Sequence, residues 1–199
     1  MTKRVAAKRR WPSAAPKHGR VIRLSQDHPA LGEGRTKFPH LVRAPGPEEW
    51  VLKSGEHNRK LGWIVSKGRW SGFPIFSLSL EERATCPRSC PQWASCYGNH
   101  MSQGRAFRYR HGPALEEQLE KELTILCIER QTRRGFVVRL HTLGDFYSVE
   151  YVRFWERMPA QFPALHCVLS LKFSSACLPS APMPKYFGFC KEFWSICAR

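Results

Sequence analysis

Cys86, Cys90, Cys96 and His100 fall within 15 residues at the spacing C-x3-C-x5-C-x3-H. Thiolates are soft metal ligands, and close spacing along the chain lowers the entropy cost of gathering them on one ion. Two metal readings compete. In the first, the three cysteines and His100 make a closed Cys3His zinc set, of the kind found in small fingers that bind single-stranded RNA. Phe107 and Tyr109, interleaved with Arg105, Arg108 and Arg110, then supply base stacking and phosphate contact. Such fingers are small and autonomous, however, whereas this cluster lies inside a larger pattern of strands and helices. In the second, Cys86, Cys90 and Cys96 hold an iron–sulfur cluster and leave one iron open to a substrate or cofactor. A third reading has no metal and uses the cysteines as small apolar side chains. The ligand spacing and the intervening Pro87 and Pro91 weigh against it.

His141 and Asp145 lie at the end of a predicted strand, where α/β sheets place their ligands. His141 can act as an acid–base group or ligand, and Asp145 can accept an amine. The plainer reading makes His141 a core histidine and Asp145 a turn residue. Arg139, if it points inward, requires an acidic partner or an anionic ligand. There is no Walker loop, no G-x-S-x-G and no H-E-x-x-H.

The elements that must position these residues follow from pattern. Leu61–Trp70 (LGWIVSKGRW) reads as a hairpin turning at Lys67-Gly68, and Ile75–Leu80 (IFSLSL) alternates as a short strand. Glu81-Glu82-Arg83 reads as one helical turn before Cys86. Pro113 suits a first helical turn, and Leu115, Leu119, Leu123 and Leu126 form one apolar stripe. Glu116, Glu117, Glu120 and Glu122 favour the positive end of that helix. Phe136–His141 (FVVRLH) is a strand, and Thr142–Phe146 a turn. Ser148 caps a helix through Met158, with Val152, Trp155 and Met158 on one side, and Ala164–Leu171 is the next strand. Helix, strand, helix, strand argues for an α/β fold with parallel strands.

Composition bounds the rest. The chain has 199 residues, 42% hydrophobic and 24% charged, which fits one domain and excludes wholesale disorder. No apolar run approaches the roughly 18–20 residues of a membrane span. The N-terminus is basic without the apolar stretch of a secretory signal, and eight cysteines are too few for a disulfide scaffold of this length. Reduced thiols and a cytoplasmic location are expected. A net charge of +16 attracts nucleic acid or another polyanion. Between Met1 and Gly46 there are eleven Lys or Arg against Asp27 and Glu33, with five prolines. Residues 1–47 therefore read as a flexible basic arm, the expected route to nucleic acid, and residues 48–166 as the α/β core. Residues 167–199 carry Cys167, Cys177, Cys190 and Cys197 but, from Val168 on, one acidic residue, Glu192. That tail reads either as a foreign or truncated end left by a lost reading frame, or as an irregular wrap.

Two resemblances sharpen these readings. In the radical-SAM superfamily a cysteine loop follows the first strand, and a glycine-rich turn ending the second strand contacts the methionine amine of S-adenosylmethionine. Here IFSLSL precedes the cysteines, and Leu143-Gly144-Asp145-Phe146 ends FVVRLH, Gly144 lying 48 residues after Cys96. The order resembles that plan, although C-x3-C-x5-C departs from the usual C-x3-C-x2-C. The resemblance implies a partial parallel sheet or incomplete (βα) barrel-like core, with Gly144 and Asp145 placing the cofactor. Residues Leu78–Met101, together with Val138–Ser148, also resemble the phage gene product 88 family. That family pairs a cysteine loop ending in Cys-Tyr with a strand carrying Arg-x-His and Gly-Asp-Phe. The likeness runs from Gly62 to His166 and implies a phage or prophage protein. The family normally continues with a further strand and helices, which the tail does not supply.

Overall fold

The computed structural model describes residues 21–57, 62–101 and 107–169. Its elements in chain order are α1 (Pro29–Gly32), β1 (Val42–Arg43), β2 (Lys53–Ser54), β3 (Ile75–Ser77), β4 (Arg108–Tyr109), α2 (Pro113–Ile128), β5 (Phe136–Leu140), α3 (Val149–Gln161) and β6 (Leu165–Leu169). The main sheet has the order β2-β3-β5-β6. Strands β3, β5 and β6 are parallel, and β2 is an antiparallel edge. Strands β1 and β4 pair separately in parallel. The fold is thus α/β with a small, mostly parallel sheet that does not close into a barrel among the described residues.

Strand β5 is an apolar run because both its faces are covered. Phe136, Val138 and Leu140 join the core beneath the helices, while Val137 packs with Val65, Ile75 and Val168 on the other face. The α2 stripe Leu115, Leu119, Leu123 and Leu126 is at most 1% exposed. Ser148 Oγ caps α3, accepting the Tyr151 N–H at 3.1 Å. Helix α3 runs past Met158 to Gln161 and carries Pro159 inside it. Glu122 does not face solvent with its acidic neighbours: its carboxylate is buried and accepts the backbone N–H groups of Val51 (2.6 Å) and Leu52 (2.8 Å).

Three expectations change. The hairpin is shorter and shifted, because Ser66–Gly72 folds into turns and the return leg is Phe73-Pro74. Val65 N–H reaches Phe73 O, and Ile64 and Pro74 form an isolated bridge. Glu81-Glu82-Arg83 is not helical: Arg83 has φ +66°, and all three side chains are buried in polar contacts. Residues 21–47 do not extend as a free arm. Leu24, Ala30 and Leu41 are at most 7% exposed, and the prolines there start α1 and a 3-10 turn at Pro39–Leu41. Residues 1–20 of the expected arm and 170–199 of the expected tail lie outside the described residues. No helix among the described residues is long and apolar enough to cross a membrane.

Candidate functional site

Two chain segments meet at the C-terminal ends of β3 and β5. Beyond β3 the chain stays paired: Leu78 N–H reaches Arg139 O at 3.1 Å and Leu80 N–H reaches Leu143 O at 3.0 Å. It then turns through Glu81-Glu82-Arg83 into the cysteine loop, which ends in a 3-10 turn, Tyr97–His100. Beyond β5 the chain enters the Gly144-Asp145 turn. Gly144 has φ +79°, and a Cβ there would stand 2.6 Å from both Leu80 Cβ and Thr85 Oγ1. Only glycine lets the turn approach this closely. Thr85 Oγ1 in turn accepts the Asp145 N–H at 3.1 Å. The residue preceding Cys86 is therefore bonded to the turn 60 positions away.

A buried polar network holds the loop. Glu82 Oε2 accepts Arg108 Nε at 2.6 Å, with both side chains 0% exposed. Thr36 Oγ1 donates to Glu82 Oε1 at 2.6 Å, and Arg108 also donates to Gly98 O and Met101 O. Arg83 donates to Trp93 O, Arg35 O and, at 2.6 Å, Asn99 Oδ1. Asn99 Nδ2 donates to Ile22 O and Ala94 O, so residues 22–36 are laced across the loop. A Cβ on Gly98 would stand 2.5 Å from the Glu82 carboxylate, which explains the glycine of Cys-Tyr-Gly-Asn-His.

Within this frame Cys86, Cys90 and Cys96 are all half-buried free thiols. Burial pushes the Cys86 thiol up to about 12, and the charges of Asp145, Cys96 and Cys90 add to the push. Burial also raises Cys96, opposed by the Gly98 N–H on its sulfur and reinforced by Glu82 and Cys90. Burial raises Asp145 above the usual carboxylate range, against the hydrogen bond it accepts from Phe146 N–H. Among the described residues no three His, Cys, Asp or Glu side chains are gathered tightly enough to hold a metal ion. His100 Nε2 is engaged elsewhere, accepting the Ile22 N–H at 2.8 Å.

A cavity of about 610 Å³ opens beside Cys86, walled by Arg35, Arg83, Arg88, Trp93, Arg110 and His111 among others. Spacing along the chain gives no hint of it, because its walls come from the segment after α1, the 81–84 turn, the cysteine loop and the segment after β4.

His141 has the plainer role. It is 7% exposed, meets Phe146 edge-to-face at 4.5 Å between centroids, and burial lowers its pKa to about 3. Among the described residues, the stacking surface expected around Phe107 and Tyr109 does not form. Arg108 and Tyr109 are buried, Tyr109 OH donating to Glu49 and Trp50 O, and Phe107 is covered by Arg43 at 3.3 Å. Arg110 is exposed, and Arg105 lies outside the described residues. Each side chain is covered on its own face: Arg108 is taken up by Glu82, Gly98 O and Met101 O, and Tyr109 by Glu49, Trp50 O and the core.

A cysteine loop leaving one parallel strand, met by a Gly-Asp turn from the next, defines an α/β protein with its candidate site at the strand ends. The chain belongs to the phage family described as Gene product 88, whose family model matches residues 50–167. No curated protein and no solved structure matches it.

Proposed function

We propose that Cys86, Cys90 and Cys96 hold an iron–sulfur cluster and that the protein is radical-SAM-like, with Gly144 and Asp145 placing S-adenosylmethionine. The observation that carries this reading is the bond between Thr85 and the Asp145 turn. It sets the turn against the start of the cysteine loop, which supports Asp145 as the amine acceptor for a cofactor held by that loop. The donor types suit it: three soft thiols on one loop, with the Asp145 carboxylate on the turn bonded to Thr85. Closing them on a cluster calls for the 86–96 loop to tighten and for the thiols to lose their protons. A cluster with one open iron supplies a coordination position and an electron. The chain's own residues do the remainder. Arg83, Asn99 and Glu82 hold the loop, Asp145 receives the amine, and the cavity beside Cys86 receives the substrate. The engagement of His100 Nε2 by Ile22 favours this reading over the Cys3His zinc set.

The test is anaerobic reconstitution with iron and sulfide, followed by S-adenosylmethionine and a reductant. 5′-Deoxyadenosine is expected, and Cys86→Ser, Cys90→Ser and Cys96→Ser each abolish it. Asp145→Asn weakens cofactor binding while the cluster is retained. A loaded cluster with no cleavage under any reductant overturns the radical-SAM part of the reading.

A further inference from the structure

We infer that the cavity beside Cys86 binds a phosphate-bearing ligand of nucleotide size, gripped by Arg88 and Arg110 with Trp93 as a flat wall. This deepens the reading above by naming a substrate class, although binding itself needs no cluster. A volume of about 610 Å³ suits a small organic ligand. The charge on the walls is unevenly compensated. Arg35 is paired with Glu81 at 2.6 Å. Arg83 spends its guanidinium on Asn99 and two carbonyls. Arg88 donates only to neutral acceptors, Leu31 O at 3.1 Å and Gly32 O at 2.9 Å, so its charge stays uncancelled. Arg110 is exposed, and its guanidinium has no hydrogen-bond or ion-pair partner among the described residues. Glu33 is the opposing carboxylate on the wall.

Two guanidinium groups without carboxylate partners lining one cavity select an oxyanion; the planar N–H fork takes phosphate or carboxylate, and the flat Trp93 wall points to a phosphate carried on an aromatic base. Trp93 is fixed, its Nε1–H donating to Leu31 O at 3.3 Å and Arg88 lying 5.3 Å over its ring. Indole and guanidinium together give a rigid flat edge against which an aromatic base packs. The same walls disfavour the sulfonium cation of S-adenosylmethionine, which belongs nearer Asp145. The cavity is therefore the place for a second, anionic molecule: a free nucleotide or the phosphorylated end of a nucleic-acid strand.

Calorimetric titration of the metal-free full chain with AMP, adenosine, inorganic phosphate and a 5′-phosphorylated tetranucleotide tests this. AMP is expected to bind, with adenosine weaker by about tenfold or more, as loss of charged hydrogen bonds requires. Arg110→Gln weakens AMP by a similar factor without lowering the melting temperature, since the side chain is exposed. Glu33→Gln tightens it. A tetranucleotide tighter than AMP assigns the phosphate to a strand end, and AMP tighter assigns it to a free nucleotide. Equal affinity for AMP and adenosine, or an Arg110→Gln chain that binds AMP like the original, overturns the inference. Iron content of Arg110→Gln stays unchanged, so loss of nucleotide binding and loss of the cluster are read separately.

Discussion

Replacing Glu82 with Gln separates a loop held by buried charge from one held by packing. Glu82 and Arg108 are both 0% exposed, and Glu82 accepts Arg108 Nε at 2.6 Å, Arg108 Nη2 at 3.2 Å and Thr36 Oγ1 at 2.6 Å. Gln keeps the shape but strands the Arg108 charge where both side chains are fully buried and turns an amide N–H₂ toward a donor. Removing one partner of such a pair costs about 3–5 kcal/mol. Against a total stability of about 5–15 kcal/mol, that is a large share. Arg108 also holds Gly98 O at 3.0 Å and Met101 O at 3.1 Å, so the end of the cysteine loop loosens with it. Urea unfolding of the metal-free protein, followed by tryptophan fluorescence, is expected to show the loss. Combining Glu82→Leu with Arg108→Met recovers part of it, because no lone charge is left behind. A Glu82→Gln chain within about 1 kcal/mol of the original would refute the reasoning, since a lone buried charge costs more.

Other substitutions probe the turn, the core histidine and the thiols. Gly144→Ala combines a left-handed φ with two 2.6 Å clashes and is expected to cost about 2–4 kcal/mol and to lower cluster retention, read by thermal melting and iron assay. His141, held neutral by burial at about 3 against 6.5 in the unfolded chain, contributes stability that is present above pH 6.5 and is lost as pH falls toward 3. His141→Asn, which tolerates the φ of +55°, flattens the stability profile across that window in denaturant titrations. Cys86 in the metal-free protein, raised to about 12, is expected to alkylate slowly at pH 8 in a mass-spectrometric time course. Urea restores its rate.

Elements with strong local signals were legible in the sequence. The α2 leucine stripe, the Ser148 cap and the β5 run each depend on neighbours a few residues away. The juxtaposition of Gly144-Asp145 with the cysteine loop was legible through family resemblance alone. The buried network was not. Glu82 finds its partners 26 and 46 positions away, and a run of three charged residues reads as surface until those partners are known. The segment after residue 21 is opaque in the sequence for a similar reason. Its prolines and basic residues suggested an arm, but Leu24 and Thr36 are each fixed by the loop they cover. Arg108 and Tyr109 looked like a nucleic-acid surface because alternation alone does not reveal a strand enclosed on both sides.

Anaerobic purification followed by absorption spectroscopy and iron, sulfide and zinc analysis tests the central claim most directly. The account predicts a brown protein with broad visible absorption, iron and acid-labile sulfide, lost in Cys86→Ser, Cys90→Ser and Cys96→Ser and kept in His100→Ala. A colourless protein carrying stoichiometric zinc that His100→Ala releases would contradict it.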